Sequence, residues 1–192
     1  MHVKNALVVD YDTGKHDFRG LFRRVLDYEH LDKLHERPDI AAFGPYEVKE
    51  QIDVCRRAIG EAFPQMAELY ADFVRTVIGE HFGGVQSWQT PPSFRFHYSR
   101  RGSSSTHRDR DFGVKSDRLN AWVPLTRVWG DNSISIESEE GKGDLTPVEL
   151  DYGQVLIFDG GNLLHGGRWN STSCTRVSFD LRFIPVRFPE PA

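Results

Sequence analysis

The sequence predicts a mainly β protein, an antiparallel sandwich or barrel with helices packed on its outer side. Apolar residues repeat at helical spacing before Pro91 and at a period of two after it. The later strand-like segments follow one another without intervening helices, which favours antiparallel pairing. We expect a single domain over residues 1–192, with mainly helical support and early strands in 1–92 and the β core in 93–188.

The first half contains amphipathic segments with three-and-four spacing of apolar residues. The predicted helices are Phe18–Leu26, Val48–Phe63 and a third that starts at Pro64 and ends before Gly83. Leu31 and Leu34 keep the same spacing and could extend the first helix. Pro64 is placed at the start of the third helix because proline is favoured in a first helical turn. These helices are expected to buttress the sheet.

The second half alternates apolar and polar residues, as strands do. The predicted strands are 94–98, 119–125, 133–137, 148–150, 154–158 and 175–186. In the first of them Arg95 and His97 share one face, and the sequence leaves open whether that face points into the barrel or to solvent. The acidic run from Glu137 to Glu140 predicts an exposed hairpin tip.

Composition excludes several functional classes. The net charge is −4 and both signs are interleaved, so neither a nucleic-acid nor a membrane partner is indicated. No apolar run has membrane-spanning length, and the start of the sequence lacks the features of a signal peptide. Cys55 and Cys174 are far apart and outside any CxxC pair, which predicts reduced thiols in a cytoplasmic protein. The oligomeric state is not indicated.

One set of residues has the composition of an iron site. His107 and Asp109 are separated by one residue, so an extended segment directs both side chains the same way. His165 begins a later strand after a glycine-containing turn and supplies a third ligand. Two imidazoles and one carboxylate hold a non-haem iron(II) and leave three positions open. Arg176, eleven residues after His165, can clamp a carboxylate-bearing co-substrate, which suggests an oxygenase that consumes 2-oxoglutarate.

These residues lie in stretches that are recognisable together. They are THRDRDFG at 106–113, LNAWVPLT at 119–126, YGQVLIFDGGNLLHGG at 152–167 and TRVSFDLRF at 175–183. The chain resembles the iron(II)- and 2-oxoglutarate-dependent dioxygenases, in particular the phytanoyl-type and streptomycin-biosynthesis-type hydroxylases of small molecules. The resemblance implies a double-stranded β-helix (jelly-roll, cupin-like) core and three requirements: iron(II), 2-oxoglutarate and dioxygen.

The resemblance also implies individual roles. His107, Asp109 and His165 match the metal ligands, and Arg176 with Ser178 matches the residues that bind the far carboxylate of 2-oxoglutarate. Related halogenases replace the carboxylate ligand by a small residue. The presence of Asp109 therefore favours hydroxylation over halogenation.

Residues on the neighbouring strands are candidates for ligand contacts. Asn120 lies on a strand that the resemblance places along the cavity, so it could touch the co-substrate, while Trp122 could line the cavity or belong to the core. Arg95 and His97 would contact 2-oxoglutarate or substrate if their face points into the barrel.

Three further residues have competing roles. Asp111 could replace Asp109 as ligand, bind substrate, or cap the turn at Gly113, and Asp109 is preferred as ligand because it fits the HxD pattern. Arg168 follows the distal histidine and could form the rim of the substrate site. Arg182 is the rival of Arg176 for the carboxylate clamp, because the two lie on the same strand face.

Two functional hypotheses follow. The preferred one is an oxygenase that hydroxylates an unactivated C–H bond of a small metabolite, such as an amino acid, an aminocyclitol or a natural-product intermediate, with release of succinate and CO2. The alternative is a non-catalytic cupin-type protein that binds a metal or ligand. Arg176 and Ser178 favour the enzyme, because a pure binder does not need a carboxylate clamp at that position.

Overall fold

The computed structural model describes residues 6–44, 47–103 and 105–188. Over these residues the α-helices are α1 (Phe18–Leu26), α2 (Pro38–Ala41) and α3 (Val48–Phe73). The strands are β1 (Leu7–Asp10), β2 (Val85–Trp88), β3 (Ser93–His97), β4 (Leu119–Pro124), β5 (Ser135–Ile136), β6 (Thr146–Pro147), β7 (Gln154–Phe158), β8 (His165–Gly166) and β9 (Arg176–Pro185). Short 3-10 or π turns span Leu31–Glu36, Val74–Ile78, Gly79–Phe82, Asp109–Phe112 and Gly130–Asn132.

Two antiparallel sheets form the β core. The large sheet has the order β1-β7-β4-β9, and the long strand β9 pairs on its other side with β3 and then with β2. The small sheet has the order β6-β5-β8. It packs against one face of the large sheet, where Ile136 and Trp122 belong to the same buried cluster. The helices cover the opposite face, so the arrangement is a sandwich with helices outside, as predicted.

Strand β9 shows how the period of two separates the core from the cavity. Its residues Val177, Phe179, Leu181 and Phe183 are buried in the core shared with the helices. The residues that alternate with them are Arg176, Ser178, Asp180 and Arg182, which therefore point to the other face, between the sheets. One face of β9 therefore packs against the helices, and its other face carries a row of polar side chains between the two sheets.

Aromatic packing joins the helices to the large sheet. Phe18 of α1 lies edge-on to Phe73 of α3 at 5.2 Å and to Phe179 of β9 at 5.0 Å between ring centroids. Each ring is almost fully buried, and burial of such a side chain stabilises the fold by roughly 1.5–3 kcal/mol. This contact fixes the strand whose other face carries the polar row.

The prediction that Pro64 starts a new helix is wrong. Val48–Phe73 is one helix of 26 residues with Pro64 inside it. The buried stripe continues through Ile59, Phe63 and Met66 without a break. Proline removes the hydrogen bond to the carbonyl four residues earlier, and that residue, Gly60, lies on the exposed face, where water can satisfy its carbonyl.

The strand predictions hold best where both faces are buried. Strand β7 is found at the predicted residues, whereas 148–150 forms only backbone bonds from Val148 to Ile134 and between Leu150 and Val128. Leu31 and Leu34 lie in a separate 3-10 turn, because helix α1 ends at Asp27 in the left-handed conformation. Among the described residues, no helix combines the length and the apolar character that crossing a membrane requires.

Candidate metal centre and co-substrate cavity

His107, Asp109 and His165 meet between the two sheets. One ligand atom from each lies within 4.8 Å of the others. Asp109 Oδ1 is 3.5 Å from His107 Nε2 and 3.9 Å from His165 Nε2. The two histidines are brought together by a pair of backbone hydrogen bonds, His107 N to His165 O and His165 N to His107 O, at 2.9 and 3.0 Å. The structure therefore brings together the three residues that the sequence predicted as ligands.

Both imidazoles are oriented by backbone carbonyls. His107 Nδ1 is 2.9 Å from the carbonyl oxygen of Ser105, and His165 Nδ1 is 2.9 Å from that of Leu163. Because a carbonyl only accepts, each Nδ1 carries a proton, and in the neutral tautomer that this fixes Nε2 has the free lone pair. Burial lowers the pKa of His165, which favours its neutral form. Fixing the tautomer through the far nitrogen is what metal-binding histidines generally require.

The Asp109 carboxylate is almost fully buried and is held from two strands. Arg182 Nε and Nη2 donate to Oδ2 and Oδ1 at 2.8 and 3.0 Å, and Asn120 Nδ2 donates to Oδ2 at 2.9 Å. Burial by itself would raise the pKa of Asp109, but these hydrogen bonds outweigh it and the pKa lies below its ordinary value. Asp109 is thus ionised and oriented.

A buried ion pair ties the two ligand-bearing segments together. Glu137 is fully buried, contrary to the expectation of an exposed tip, and its Oε1 accepts from Arg108 Nη2 at 2.7 Å and from Leu164 N at 2.6 Å. Arg108 lies between His107 and Asp109, and Leu164 precedes His165. Glu137 therefore fixes both segments relative to each other. This role could not be predicted from the sequence, because Glu137 belongs to an acidic run that is typical of an exposed turn.

Arg176 is a buried guanidinium without a counter-charge. It is 5% exposed, and among the described residues no carboxylate lies within ion-pair distance of it. Its Nη1 donates to the carbonyl of Asn132 at 3.2 Å, while its Nε and the Nδ2 of Asn132 are buried without a partner. Burial lowers the pKa of Arg176 to about 10, with a further contribution from Arg95. Unsatisfied donors beside an unpaired cation form a site for a carboxylate.

Two predicted neighbours of Arg176 support this part of the cavity. Trp122 Nε1 donates to Ser178 Oγ at 3.2 Å, and the Arg176 guanidinium lies 5.7 Å from the Trp122 ring centroid. Trp122 thus lines the cavity and is also buried in the core between the sheets. Asn120 lines the same cavity and donates to the Asp109 carboxylate.

Arg95 and His97 share one face of β3, but only Arg95 lines the cavity around the candidate ligands, with a half-exposed side chain, whereas His97 lines a neighbouring pocket. Arg95 pairs with Asp180 through two hydrogen bonds of 2.7 and 3.3 Å, and both residues line the cavity. His97 is buried, and its pKa falls to about 4 because of burial and the nearby Arg176. Asp180 was not predicted from the sequence. The period of two along β9, which relates Arg176 to Asp180, could have identified it.

Two predicted residues lie away from the cavity wall. Asp111 is exposed and its carboxylate accepts from the backbone N–H of Arg108 at 3.2 Å, so it caps a turn and is not a metal ligand. Arg168 is exposed and donates to the carbonyl of Leu145 at 3.5 Å.

The cavity that these residues enclose has a volume of about 160 Å³. It is lined by the three candidate ligands and by Arg95, Asn120, Trp122, Arg176, Asp180 and Arg182, and we call it the metal cavity. Two imidazoles and a carboxylate suit iron(II). The unpaired Arg176 suits the far carboxylate of a chelating oxo acid. The residues present therefore fit both groups.

Comparison with known proteins extends this description. No family model matches the chain. It is 33% identical over 182 residues to the streptomycin biosynthesis protein StrG of Streptomyces griseus, across 94% of this chain and 85% of that protein. The chain belongs to the StrG family. Solved structures of 14–16% identity also resemble the chain.

Three solved structures show the fold. EctD from S. alaskensis with bound iron has a TM-score of 0.61 at 16% identity, across 98% of this chain and 76% of that one. SnoK, a non-haem α-ketoglutarate-dependent carbocyclase from nogalamycin biosynthesis, has a TM-score of 0.58 at 14% identity, across 95% and 80%. The non-haem monooxygenase ThoJ in complex with nickel has 0.55 at 15%, across 99% and 77%. The chain has the double-stranded β-helix fold of these proteins, which confirms the predicted fold.

Proposed function

We propose that this protein is an iron(II)- and 2-oxoglutarate-dependent oxygenase that hydroxylates a small metabolite in the cytoplasm. The observation that carries the proposal is the combination, in one cavity, of the His107–Asp109–His165 cluster and the unpaired Arg176. A buried cation without a counter-charge is costly to the fold. A ligand carboxylate that neutralises it accounts for its presence, whereas binding of a metal alone does not.

Each part of the cavity has a defined task in this reaction. His107, Asp109 and His165 would hold iron(II), and Arg176 would bind the far carboxylate of 2-oxoglutarate with charge-assisted hydrogen bonds. Ser178, which already accepts from Trp122, can donate its own hydroxyl proton to the same carboxylate. When bound, iron and 2-oxoglutarate supply, with dioxygen, the oxidising power for attack on a C–H bond and release succinate and CO2. The protein orients the reactants and limits water.

The other polar residues that line the metal cavity can contact the substrate. Arg95 and Asp180 form an ion pair that lines the metal cavity, and each keeps hydrogen-bonding capacity beyond that pair. A substrate with hydroxyl or amino groups can satisfy this capacity. An amino acid, an aminocyclitol or a similar natural-product intermediate fits this requirement, and the relation to a streptomycin biosynthesis protein supports the same class.

The test is substrate-dependent succinate formation. The purified protein, with iron(II) and 2-oxoglutarate in air, is offered a panel of amino acids and aminocyclitols, and products heavier by one oxygen atom are sought by mass spectrometry. We expect succinate and a hydroxylated product from one class, and neither from the His165→Ala variant. A wild-type protein that binds iron(II) and 2-oxoglutarate but never forms succinate with any substrate would instead support the cupin-type binding protein.

A further inference from the structure

The structure gives the two oxygens of Asp109 different surroundings. Oδ2 accepts from Arg182 Nε and from Asn120 Nδ2, at 2.8 and 2.9 Å. Oδ1 accepts one bond, from Arg182 Nη2 at 3.0 Å, and is the oxygen that faces the Nε2 atoms of His107 and His165. One oxygen is therefore occupied by two donors, while the other retains a lone pair directed towards the site where the histidines converge.

This arrangement follows from the strand register. Asn120 of β4 and Arg182 of β9 are direct partners in the large sheet, so their side chains leave the same face side by side. Asp109 is brought to them by its backbone N–H, which donates to the Gly160 carbonyl at 2.8 Å. A β-carbon at Gly160 would collide with the Asn120 side chain, so glycine is required for this close approach.

We propose that Arg182 is a positioning residue that orients the Asp109 carboxylate so that it binds a metal in a monodentate manner, through Oδ1. The terminal torsion of an aspartate is broad, and a carboxylate left to itself could chelate a metal through both oxygens. The planar guanidinium fork fixes the plane of the carboxylate and occupies Oδ2. Only Oδ1 is then available, and three coordination positions stay open for a chelating oxo acid and dioxygen. This inference rests on the proposed function, since it requires that the triad binds a metal.

The same contacts separate Arg182 from Arg176. The charge of Arg182 is neutralised by Asp109, so Arg182 offers no free cation to a ligand carboxylate. Arg176 has no such partner among the described residues. The two arginines, six residues apart on one strand face, thus have different tasks. Lysine cannot replace Arg182, because an ammonium group lacks the two parallel donors of the fork.

The experiment measures metal binding in the absence of 2-oxoglutarate. Mn(II) affinity is obtained from the electron paramagnetic resonance signal of the free ion, for the wild type, Arg182→Met and Arg182→Lys. We expect both variants to bind Mn(II) about 10- to 100-fold more weakly, the usual effect of removing a group that orients a ligand. Arg118→Met is the matched control, because Arg118 lines the same outer groove as Arg182 but pairs with Asp117. It should bind Mn(II) as the wild type does.

A second readout reports the ligand geometry. Protein saturated with Co(II) should show a visible absorption spectrum in Arg182→Lys that differs from the wild-type spectrum, because a released carboxylate changes the coordination number. Unchanged Mn(II) affinity and an unchanged Co(II) spectrum in that variant would overturn the proposal. If Arg182→Met does not fold, as judged by circular dichroism, Arg182→Lys alone decides. Failure of the wild type itself to bind Mn(II) would refute the proposed function as well.

Discussion

Replacing Arg176 by methionine should stabilise the ligand-free protein while it destroys 2-oxoglutarate binding. The stability part follows from burial. Burial lowers the pKa of Arg176 from its ordinary value to about 10, because a charged guanidinium is poorly solvated at this position. At ~1.36 kcal/mol for each pKa unit, the buried charge costs about 3 kcal/mol. Methionine removes that cost and loses the bond to the Asn132 carbonyl and the weaker attractions to the Trp122 ring and to Asp180. We expect the free energy of unfolding to rise by about 1–3 kcal/mol.

The same substitution should weaken the binding of 2-oxoglutarate. Removing the cation leaves the far carboxylate of 2-oxoglutarate buried without its charge partner, which typically costs about 2–5 kcal/mol. The dissociation constant should therefore rise by roughly 30-fold or more. It is measured anaerobically in the presence of iron(II), by isothermal titration calorimetry, and the stability is measured by urea denaturation of the metal-free protein.

A surface arginine provides the control. Arg127 has a side chain that is 71% exposed and lies near Asp151, so Arg127→Met should change stability by less than about 0.5 kcal/mol and leave 2-oxoglutarate binding unchanged. If Arg176→Met loses stability and still binds 2-oxoglutarate with wild-type affinity, Arg176 is a structural residue and the clamp assignment is refuted.

Two further predictions concern buried groups near the centre. Glu137→Gln should lower the free energy of unfolding by about 2 kcal/mol and weaken iron(II) binding, because Arg108 loses its charged partner and the amide NH2 that replaces Oε2 cannot accept from Gly143 N–H, whereas the amide oxygen can still accept from Leu164 N–H. Equilibrium denaturation and metal titration measure both effects, and wild-type values would contradict the linking role. The pKa of His97 is lowered to about 4 in the folded protein, whereas in the unfolded chain it is about 6.5. Between these two values the unfolded chain binds a proton that the folded protein does not bind, so the free energy of unfolding decreases as the pH falls from about 6.5 towards 4. His97→Gln should flatten this part of the stability profile relative to the wild type, and an unchanged slope would show that His97 does not cause it.

The candidate metal ligands could be predicted from the sequence, because the patterns that identify them are short. The HxD spacing, the distal histidine and the strand alternation place His107, Asp109 and His165 without knowledge of distant contacts. Pairing across strands is different. That Arg182 contacts Asp109, while Arg176 has no carboxylate partner among the described residues, depends on the register of β9 against β4, which a single sequence does not contain.

Burial in the tertiary structure also outweighed two local sequence preferences. Pro64 is a strong marker of a helix start, yet a continuous buried stripe keeps α3 intact through it. Glu137 opens an acidic run that is typical of a solvated tip, yet it is fully buried because Arg108 and two backbone N–H groups satisfy its carboxylate. In both cases the free energy of burial, which involves residues far away in the chain, outweighs a preference that is visible within a few positions.

The account is tested most directly by anaerobic addition of iron(II) and then 2-oxoglutarate to the purified protein, followed by visible absorption. We predict a weak charge-transfer band that grows until each chain holds one iron and one 2-oxoglutarate. It should be absent in His165→Ala and should require far more 2-oxoglutarate in Arg176→Met. A wild-type protein that binds no iron at the three ligands, or that binds iron and shows no spectral response to 2-oxoglutarate, would contradict the account.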